Sequence, residues 1–170
     1  MDPDLRLLQQ MKQGDDAAIE AFVRKYYPQI LTYCHYHIQD VQHAEDATQE
    51  VFARFFASLD RYRHYGKAGN YLYVIAANLC RDYHRKHQEL PLETLPDTPV
   101  QPDLDTRLDL ERAFRALPQE LQAVAVLYFL QERKQREIAK ILGIGLPLVK
   151  YRIRKARELL AQAIEKEAPL

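Results

Sequence analysis

Apolar residues recur through most of the chain at the three- and four-residue spacing of amphipathic helices, and this pattern predicts a series of short helices. Leu5, Leu8 and Met11 set a helix over residues 3–13 that stops at Gly14. Asp15 or Asp16 then caps a second helix reaching about Ile38, with a kink expected at Pro28. From Val41 to Leu59, one stripe carries Val41, Ala44, Ala47, Val51, Phe52, Phe55 and Leu59, while the opposite stripe carries Gln42, Glu45, Asp46, Gln49 and Glu50. Asp60 to Gly69 reads as a loop, and Asn70 as the cap of a helix through about His87. Leu72, Ile75, Ala76, Leu79 and Tyr83 form the expected core face of that helix; Tyr71, Val74, Asn78, Arg81 and Arg85 share another.

Residues 88–105 break the pattern. They hold four of the nine prolines (Pro91, Pro96, Pro99 and Pro102), which remove amide donors and push their predecessors out of helix, so the segment reads as a flexible linker. Periodicity resumes over Asp105 to Ala116 and again after Leu117-Pro118, where Leu121, Val124, Ala125 and Tyr128 point inward. Gln135 to Leu142 is a short helix with Ile138, Ala139 and Leu142 inward, and Gly143-Ile144-Gly145 is a tight turn. Pro147 starts a last helix with Val149, Ile153, Ala156 and Leu160 inward, giving the outline of a helix-turn-helix. The expected fold is all-α: two small helical domains, 1–87 and 106–170, joined by the linker 88–105.

Composition agrees with a globular helical protein. Of 170 residues, 47% are hydrophobic and 28% charged, with only five glycines, which argues against disorder and against glycine-rich nucleotide-binding sheets. Net charge is zero, yet its distribution is uneven: residues 1–87 carry 11 bases and 11 acids, 88–105 none and five, and 106–170 13 and eight. Within the first block, Asp40 to Asp60 holds five acids and one base, whereas Arg61 to His87 holds six bases and one acid. Arg133 to Arg157 holds nine bases against Glu137 alone, a patch suited to a polyanion. The solvent side of the last helix presents Leu148, Tyr151, Arg154 and Lys155, flanked by Lys150 and Arg157, which suits entry into a major groove.

Other classes find little support. No uncharged apolar stretch approaches the roughly 18–20 residues of a membrane span, and the acidic Met1-Asp2-Pro3-Asp4 start is unlike a signal peptide, so a cytoplasmic location is expected. Cys34 and Cys80 form no CxxC pair. Cys34, His35 and His37 invite a zinc reading, but no fourth ligand has recognisable spacing, so no metal and no cofactor are expected. There is no phosphate-cradling glycine loop, no HExxH and no nucleophile elbow, so the protein is not expected to be an enzyme. A stand-alone helix-turn-helix regulator whose N-terminal domain binds a ligand or partner, and a metal-dependent sensor or hydrolase built near Cys34 and His37 that metal analysis would test, are the rival readings.

Four motifs in order resemble the extracytoplasmic-function sigma factors of the bacterial sigma-70 superfamily, over nearly the whole chain. Ala44-Glu45-Asp46-Ala47-Thr48-Gln49-Glu50-Val51-Phe52 is similar to the AED..QE.F signature of region 2, and Tyr71 to Asp82 to its WLy.IA.N..rD segment. Leu117-Pro118-Gln119-Glu120, and Glu137 to Ile144 with Val149 to Arg157, resemble region 4. The resemblance implies a transcription initiation factor that docks on core RNA polymerase, on the clamp of the largest subunit and the flap of the second, and directs starts at promoter DNA. It also implies control by an anti-sigma factor.

By that resemblance, docking falls to Gln42, Asp46, Gln49, Glu50 and Arg54. Recognition and melting of the -10 element fall to Tyr62, Arg63, His64, Tyr65, Asn70, Tyr71, Asn78, Arg81 and Arg85. Reading of the -35 duplex falls to Arg133, Lys134, Arg136, Leu148, Lys150, Tyr151, Arg154 and Arg157. The physical demands match: an unstacked strand needs aromatic surfaces and a cationic track, and nine of the eleven tyrosines lie in residues 1–87. The acidic linker, running near the polymerase active centre if the family's path holds, resembles an RNA strand in charge. Tyr71 stands where the family often has Trp, and Pro147-Leu148 where a Gly-Thr pair is common, with Tyr151 in place of a frequent Ser, so the family's -35 specificity does not carry over.

Overall fold

The computed structural model describes residues 2–64, 67–88 and 106–167. Every regular element among them is helical. The chain divides into two compact units, Met1–Cys80 and Arg81–Leu170. Except for Gln88, which ends a helix, the expected linker 88–105 and its carboxylates lie outside the described residues.

In the first unit, α1 (Pro3–Lys12) begins with Asp2 accepting from the Asp4 amide at 3.0 Å and has proline in its first turn, where no amide partner is lost. It ends before Gly14, whose φ of 84° is open to glycine at little cost. Helix α2 (Asp16–His37) is capped by Asp15, whose carboxylate accepts from Ala17 and Ala18 at 3.0 and 3.4 Å. It continues through Pro28, where Thr32 Oγ1 donates to the Pro28 carbonyl at 2.9 Å. Helix α3 (Val41–Ala57) is capped by Asp40 on the His43 amide at 3.1 Å, and a single 3₁₀ turn, Leu59–Arg61, follows it. Caps of this kind are each worth about 1 kcal/mol. Helix α4 (Ala68–Gln88) crosses the boundary between the units.

The core of the first unit is aromatic. Phe22 of α2 stacks on Phe55 of α3 with centroids 5.0 Å apart and planes at 14°. Ile30, Tyr33, Cys34, Val51, Leu72, Tyr73 and Ala76 are buried with them. Burying each large side chain contributes roughly 1.5–3 kcal/mol, so the α2 and α3 faces supply most of what holds these helices together. Three expectations need correction. Val41 is 58% exposed because it opens the first turn of α3, and Thr48 lies in the core instead, its hydroxyl satisfied by the Ala44 carbonyl at 2.8 Å. In α4 the buried positions are Ala68, Gly69, Leu72, Tyr73, Ala76, Ala77 and Cys80, while Ile75, Leu79 and Tyr83 are half-buried. Asn70 is the third residue of α4 rather than its cap; the Ala68 amide at the helix start donates to the Asp4 carboxylate at 3.4 Å.

In the second unit, α5 (Thr106–Arg115) and α6 (Gln119–Ala125) pack with α7 (Gln135–Leu142) around the long α8 (Leu146–Glu167). Phe114, Leu117, Val124, Ile138, Val149, Ile153 and Ala156 form the centre, and Gln122 is buried with its amide donating to the Phe114 carbonyl at 3.2 Å. A π-turn, Val126–Leu130, prolongs α6, with the Gln131 amide reaching the Val126 carbonyl at 3.0 Å. Within the wider turn Val126 and Leu127 are buried while the expected Tyr128 is half-buried; Leu121, ahead of the turn, is half-buried as well. In α7 it is Ile138 and Ile141 that are buried, with Ala139 and Leu142 at the margin. Gly143, at φ 66°, makes the left-handed turn into α8, as a helix-turn-helix requires.

Candidate protein- and nucleic-acid-binding faces

The acidic stripe of α3 faces solvent, with Glu45 half-buried at its edge. Gln42, Asp46, Gln49, Glu50 and Arg54 are all exposed, on the side of the helix away from Phe55. Two i,i+4 contacts order it: Gln42 Nε2 donates to Asp46 Oδ1 at 3.1 Å, and Arg54 Nε lies 3.0 Å from Glu50 Oε1. The face runs over some three turns, roughly 18 Å at 1.5 Å per residue. Its charge is net negative, since Arg54 neutralises Glu50 and leaves Asp46 with only the amide of Gln42.

The segment after α3 gathers a second set of groups. Tyr62 is half-buried, its ring 5.4 Å from Phe55 and 5.1 Å from Tyr71, and its hydroxyl is 3.1 Å from His64 Nδ1. Burial, with the carboxylates of Asp4 and Asp2 and then Tyr71 nearby, pushes the Tyr62 phenol up to about 12. His64 Nε2 in turn meets Asp2 Oδ2 at 2.5 Å. The hydrogen bond to His64, reinforced by the Asp4 amide, holds the Asp2 carboxyl below its ordinary value. Tyr62, His64 and Tyr71 are therefore brought together, with the Tyr71 hydroxyl 3.5 Å from Ser58 Oγ. Arg63, between the two held residues, is exposed. Along α4, Asn78, Arg81 and Arg85 are exposed, Asn70 is half-buried, and Arg85 lies 2.9 Å from Asp82. Tyr65 falls outside the described residues. Tyr73 belongs to the core, its ring 5.8 Å from Tyr33.

Helix α8 places a third set. Val149, Ile153, Ala156 and Leu160 are buried, which turns Leu148, Lys150, Tyr151, Arg154 and Arg157 outward. Leu148 and Tyr151 are 39% and 51% exposed beside these cations, so the outer face of α8 is apolar as well as basic. The Arg154 guanidinium lies 5.6 Å from the Tyr151 ring, and Arg157 5.6 Å from that of Phe129, cation–π contacts that restrict both arginines. Lys134 and Arg136 are exposed at the start of α7, where Glu137 accepts from the Lys134 amide at 3.3 Å. Arg133 differs: it is half-buried with its Nε buried, and its amide donates to the Leu127 carbonyl at 2.9 Å, so it is drawn inward at the end of the π-turn. Arg152 is paired with Glu120 at 3.6 Å.

Three residues outside the expected site sets take part: Asp2, the cap of α1, and Asp4 and Lys12 within it contact His64, Ala68 and Tyr62. The Cys34 thiol is buried in hydrogen-bond contact with Cys80 and Thr48; that contact, with burial, pushes the Cys80 thiol well above its ordinary value. His37 is buried with its ring 4.2 Å from Tyr33. Among the described residues no group of three or more His, Cys, Asp or Glu is placed to hold a metal ion, and no helix is long and apolar enough to cross a membrane.

Comparison with known proteins covers both units. Residues 22–89 match the family described as Sigma-70 region 2, and residues 107–160 match Sigma-70, region 4. The extracytoplasmic-function (ECF) RNA polymerase sigma factor SigE of Mycolicibacterium smegmatis is 32% identical over 91% of this chain and 66% of its own length. The ECF RNA polymerase sigma factor SigW of Bacillus subtilis is 28% identical over 92% of this chain and 94% of its own. The fold is shared with CnrH, solved in complex with the cytosolic domain of CnrY, at a TM-score of 0.77 and 22% identity over 98% of this chain and 100% of that one. It is shared too with the sigma factor RpoE of Bartonella quintana, solved with the anti-sigma factor NepR, at 0.73 and 18% identity over 88% of this chain and 98% of that one. With a region 2 helical bundle preceding a region 4 helix-turn-helix, the chain belongs to the extracytoplasmic-function sigma factors of the sigma-70 superfamily.

Proposed function

We propose that this sigma factor divides its work among the three faces, with residues 1–87 acting as the polymerase-docking and -10 domain, 88–105 as the tether, and 106–170 as the -35 domain. Gln42, Asp46, Gln49, Glu50 and Arg54 dock on the clamp of the polymerase's largest subunit, and the region 4 unit reaches the flap of the second. The observation that carries this reading is the sorting of charge and aromatic surface: the outer side of α3 is acidic and polar, the Tyr62–Tyr71 cluster is aromatic beside exposed Arg63, and the outer side of α8 is cationic and apolar. A protein partner, an unstacked strand and an intact duplex ask for these three surfaces in turn.

Tyr71 and Tyr62, with Arg63, His64, Tyr65, Asn70, Asn78, Arg81 and Arg85, would hold the melted -10 strand. Tyr62 serves chiefly as the floor of that site, because its ring is already committed to Phe55 and Tyr71. On the duplex side, Lys150, Arg154 and Arg157 reach bases and phosphates, Leu148 and Tyr151 meet thymine methyl groups, and Lys134 and Arg136 hold the backbone; Arg133 supports the turn that presents them. Each domain alone binds DNA weakly, and tethering both to one polymerase raises their effective concentration at a promoter. Control by an anti-sigma factor in the cytoplasm fits the company of the two structural neighbours, both solved with a second protein.

The test is reconstitution with core RNA polymerase and mapping of transcript 5′ ends on a randomised promoter library. Wild-type chain should bind core and select one class of start sites. Asp46→Ala with Glu50→Ala should weaken core binding by about tenfold, the scale of losing two interfacial charges, while isolated -35 duplex binding stays the same. Binding to DNA without any affinity for core would point to a stand-alone regulator instead.

A further inference from the structure

Helix α1 and its cap make three separate ties beyond the 3₁₀ turn, to Tyr62, His64 and the first residue of α4, Ala68. Lys12 Nζ donates to the Tyr62 carbonyl at 3.2 Å, Asp2 Oδ2 meets His64 Nε2 at 2.5 Å, and Asp4 Oδ2 accepts from the Ala68 amide at 3.4 Å. Asp4 is the unusual member, a carboxylate only 3% exposed. It also receives Lys25 Nζ at 2.6 Å and the Tyr26 hydroxyl, both from α2. Burying a carboxylate is unfavourable unless it is paired and hydrogen-bonded, and α1 already packs through buried Leu8 and Met11. Attachment of α1 to α2 therefore does not require a charge at this position. What the carboxylate adds is a fixed start for α4: it accepts from the first helical amide, where the positive end of the helix dipole favours an anion.

The ties fall at residues 62, 64 and 68, and so bracket Arg63 without touching it; Arg63 stays exposed between two held neighbours. Resting on the reading of these residues as part of the -10 site, we propose that α1 is a splint for strand capture, with Asp2, Asp4 and Lys12 as positioning residues that set Tyr62, Arg63, His64 and the Ala68 start of α4 before DNA arrives. Ordering a binding segment in the free protein removes that entropy loss from the binding step. None of the three residues lies on the outer face of α3, so core binding is independent of the splint.

Two surface ties separate this role from a structural one. Asp2→Ser keeps a helix cap but is too short to reach His64, and Lys12→Met keeps the aliphatic stem while removing the ammonium. The double variant leaves Asp4 in place, so the fold is retained even if Asp4→Asn is too unstable to purify. The probe is a single-stranded oligonucleotide carrying the non-template -10 region of the promoter that the wild-type holoenzyme selects from a random library, titrated against holoenzyme. The double variant should bind it about tenfold more weakly, consistent with reordering one or two side chains and a short segment, with core affinity unchanged and the melting midpoint within about 2 °C. Lys12→Arg, which restores a donor, should recover part of the loss in the Asp2→Ser background. Arg63→Ala serves as the reference. If Arg63→Ala weakens binding and the double variant does not, the splint is overturned while the site stands. If Arg63→Ala has no effect, the site assignment falls, and the splint with it. Parallel losses of strand binding, core binding and melting midpoint in the double variant would show a purely structural role and also overturn the proposal.

Discussion

Phe55 is where fold and site meet, and replacing it with leucine gives a sharp test of that junction. The ring is fully buried, stacked on Phe22 at 5.0 Å, and lies 5.4 Å from Tyr62 and 5.9 Å from Tyr71. Leucine retains helix propensity and most of the buried apolar area, so the loss is chiefly that of three aromatic contacts between elements. Such contacts are worth about 0.5–1.5 kcal/mol each beyond area, and because they share one ring they do not add fully; the variant should lose about 1–3 kcal/mol. For a unit of this size about 1 kcal/mol corresponds to 4–8 °C, so the midpoint should fall by about 5–15 °C. Tyrosine emission is a suitable probe, since the chain has no tryptophan and nine of its eleven tyrosines lie in residues 1–87. Core binding at temperatures where the variant is folded should be preserved, because the α3 docking face lies on the other side of the helix. Capture of a single-stranded -10 oligonucleotide should fall, because the floor under Tyr62 and Tyr71 has changed. A midpoint within 1 °C of wild type, or strand capture unaffected, would refute the idea that this ring couples the core to the site.

Three further outcomes follow from other places in the molecule. Lys150→Ala or Arg154→Ala should cost roughly 1–3 kcal/mol in -35-dependent initiation where a bidentate base contact is lost, whereas a lost phosphate contact should lower the salt slope of duplex binding by about 0.9; gel-shift titrations over a salt series distinguish the two. Glu132 has φ 52°, a conformation that costs an L-residue about 1–2 kcal/mol, while glycine adds about 0.4–1 kcal/mol of unfolded-state entropy, so Glu132→Gly should stabilise the second unit slightly, measured as a higher urea midpoint, and Glu132→Val should lower it. The Tyr62 phenol is held up to about 12 from an ordinary value near 10, so the unfolded chain loses this proton first; stability should be intact below pH 10 and fall between pH 10 and 12, more steeply in wild type than in Tyr62→Phe.

Much of this architecture was legible because it rests on local chemistry. Asp15 is a cap whose partners lie two and three residues away, and Gly14 and Gly143 occupy left-handed turns that stop helices. The core face of α8 follows an uninterrupted helical spacing from Val149 to Leu160. Misreadings arose where a local rule met a tertiary or geometric override. Thr48 is absent from the expected core stripe, yet a helix carbonyl four residues earlier satisfies its hydroxyl and lets it enter the core. The π-turn after α6 breaks the period that placed Tyr128 inward. The Asp4 site was beyond reach, because its partners are 21, 22 and 64 residues away and no periodic pattern announces them. Of the candidate functional residues, exposure along α3 and α8 followed directly from knowing the buried faces. The commitment of Tyr62 to an aromatic cluster depended on how the segment after α3 returns across Phe55.

Photo-crosslinking within one open promoter complex addresses the sorting of surfaces most directly, with a photoreactive amino acid placed singly at Gln49, Arg63 or Lys150. The account predicts that the first crosslinks only to the largest polymerase subunit, the second to the non-template strand in the melted region, and the third to duplex DNA upstream. Crosslinks from Gln49 to DNA, or from Lys150 to the melted strand, would contradict it.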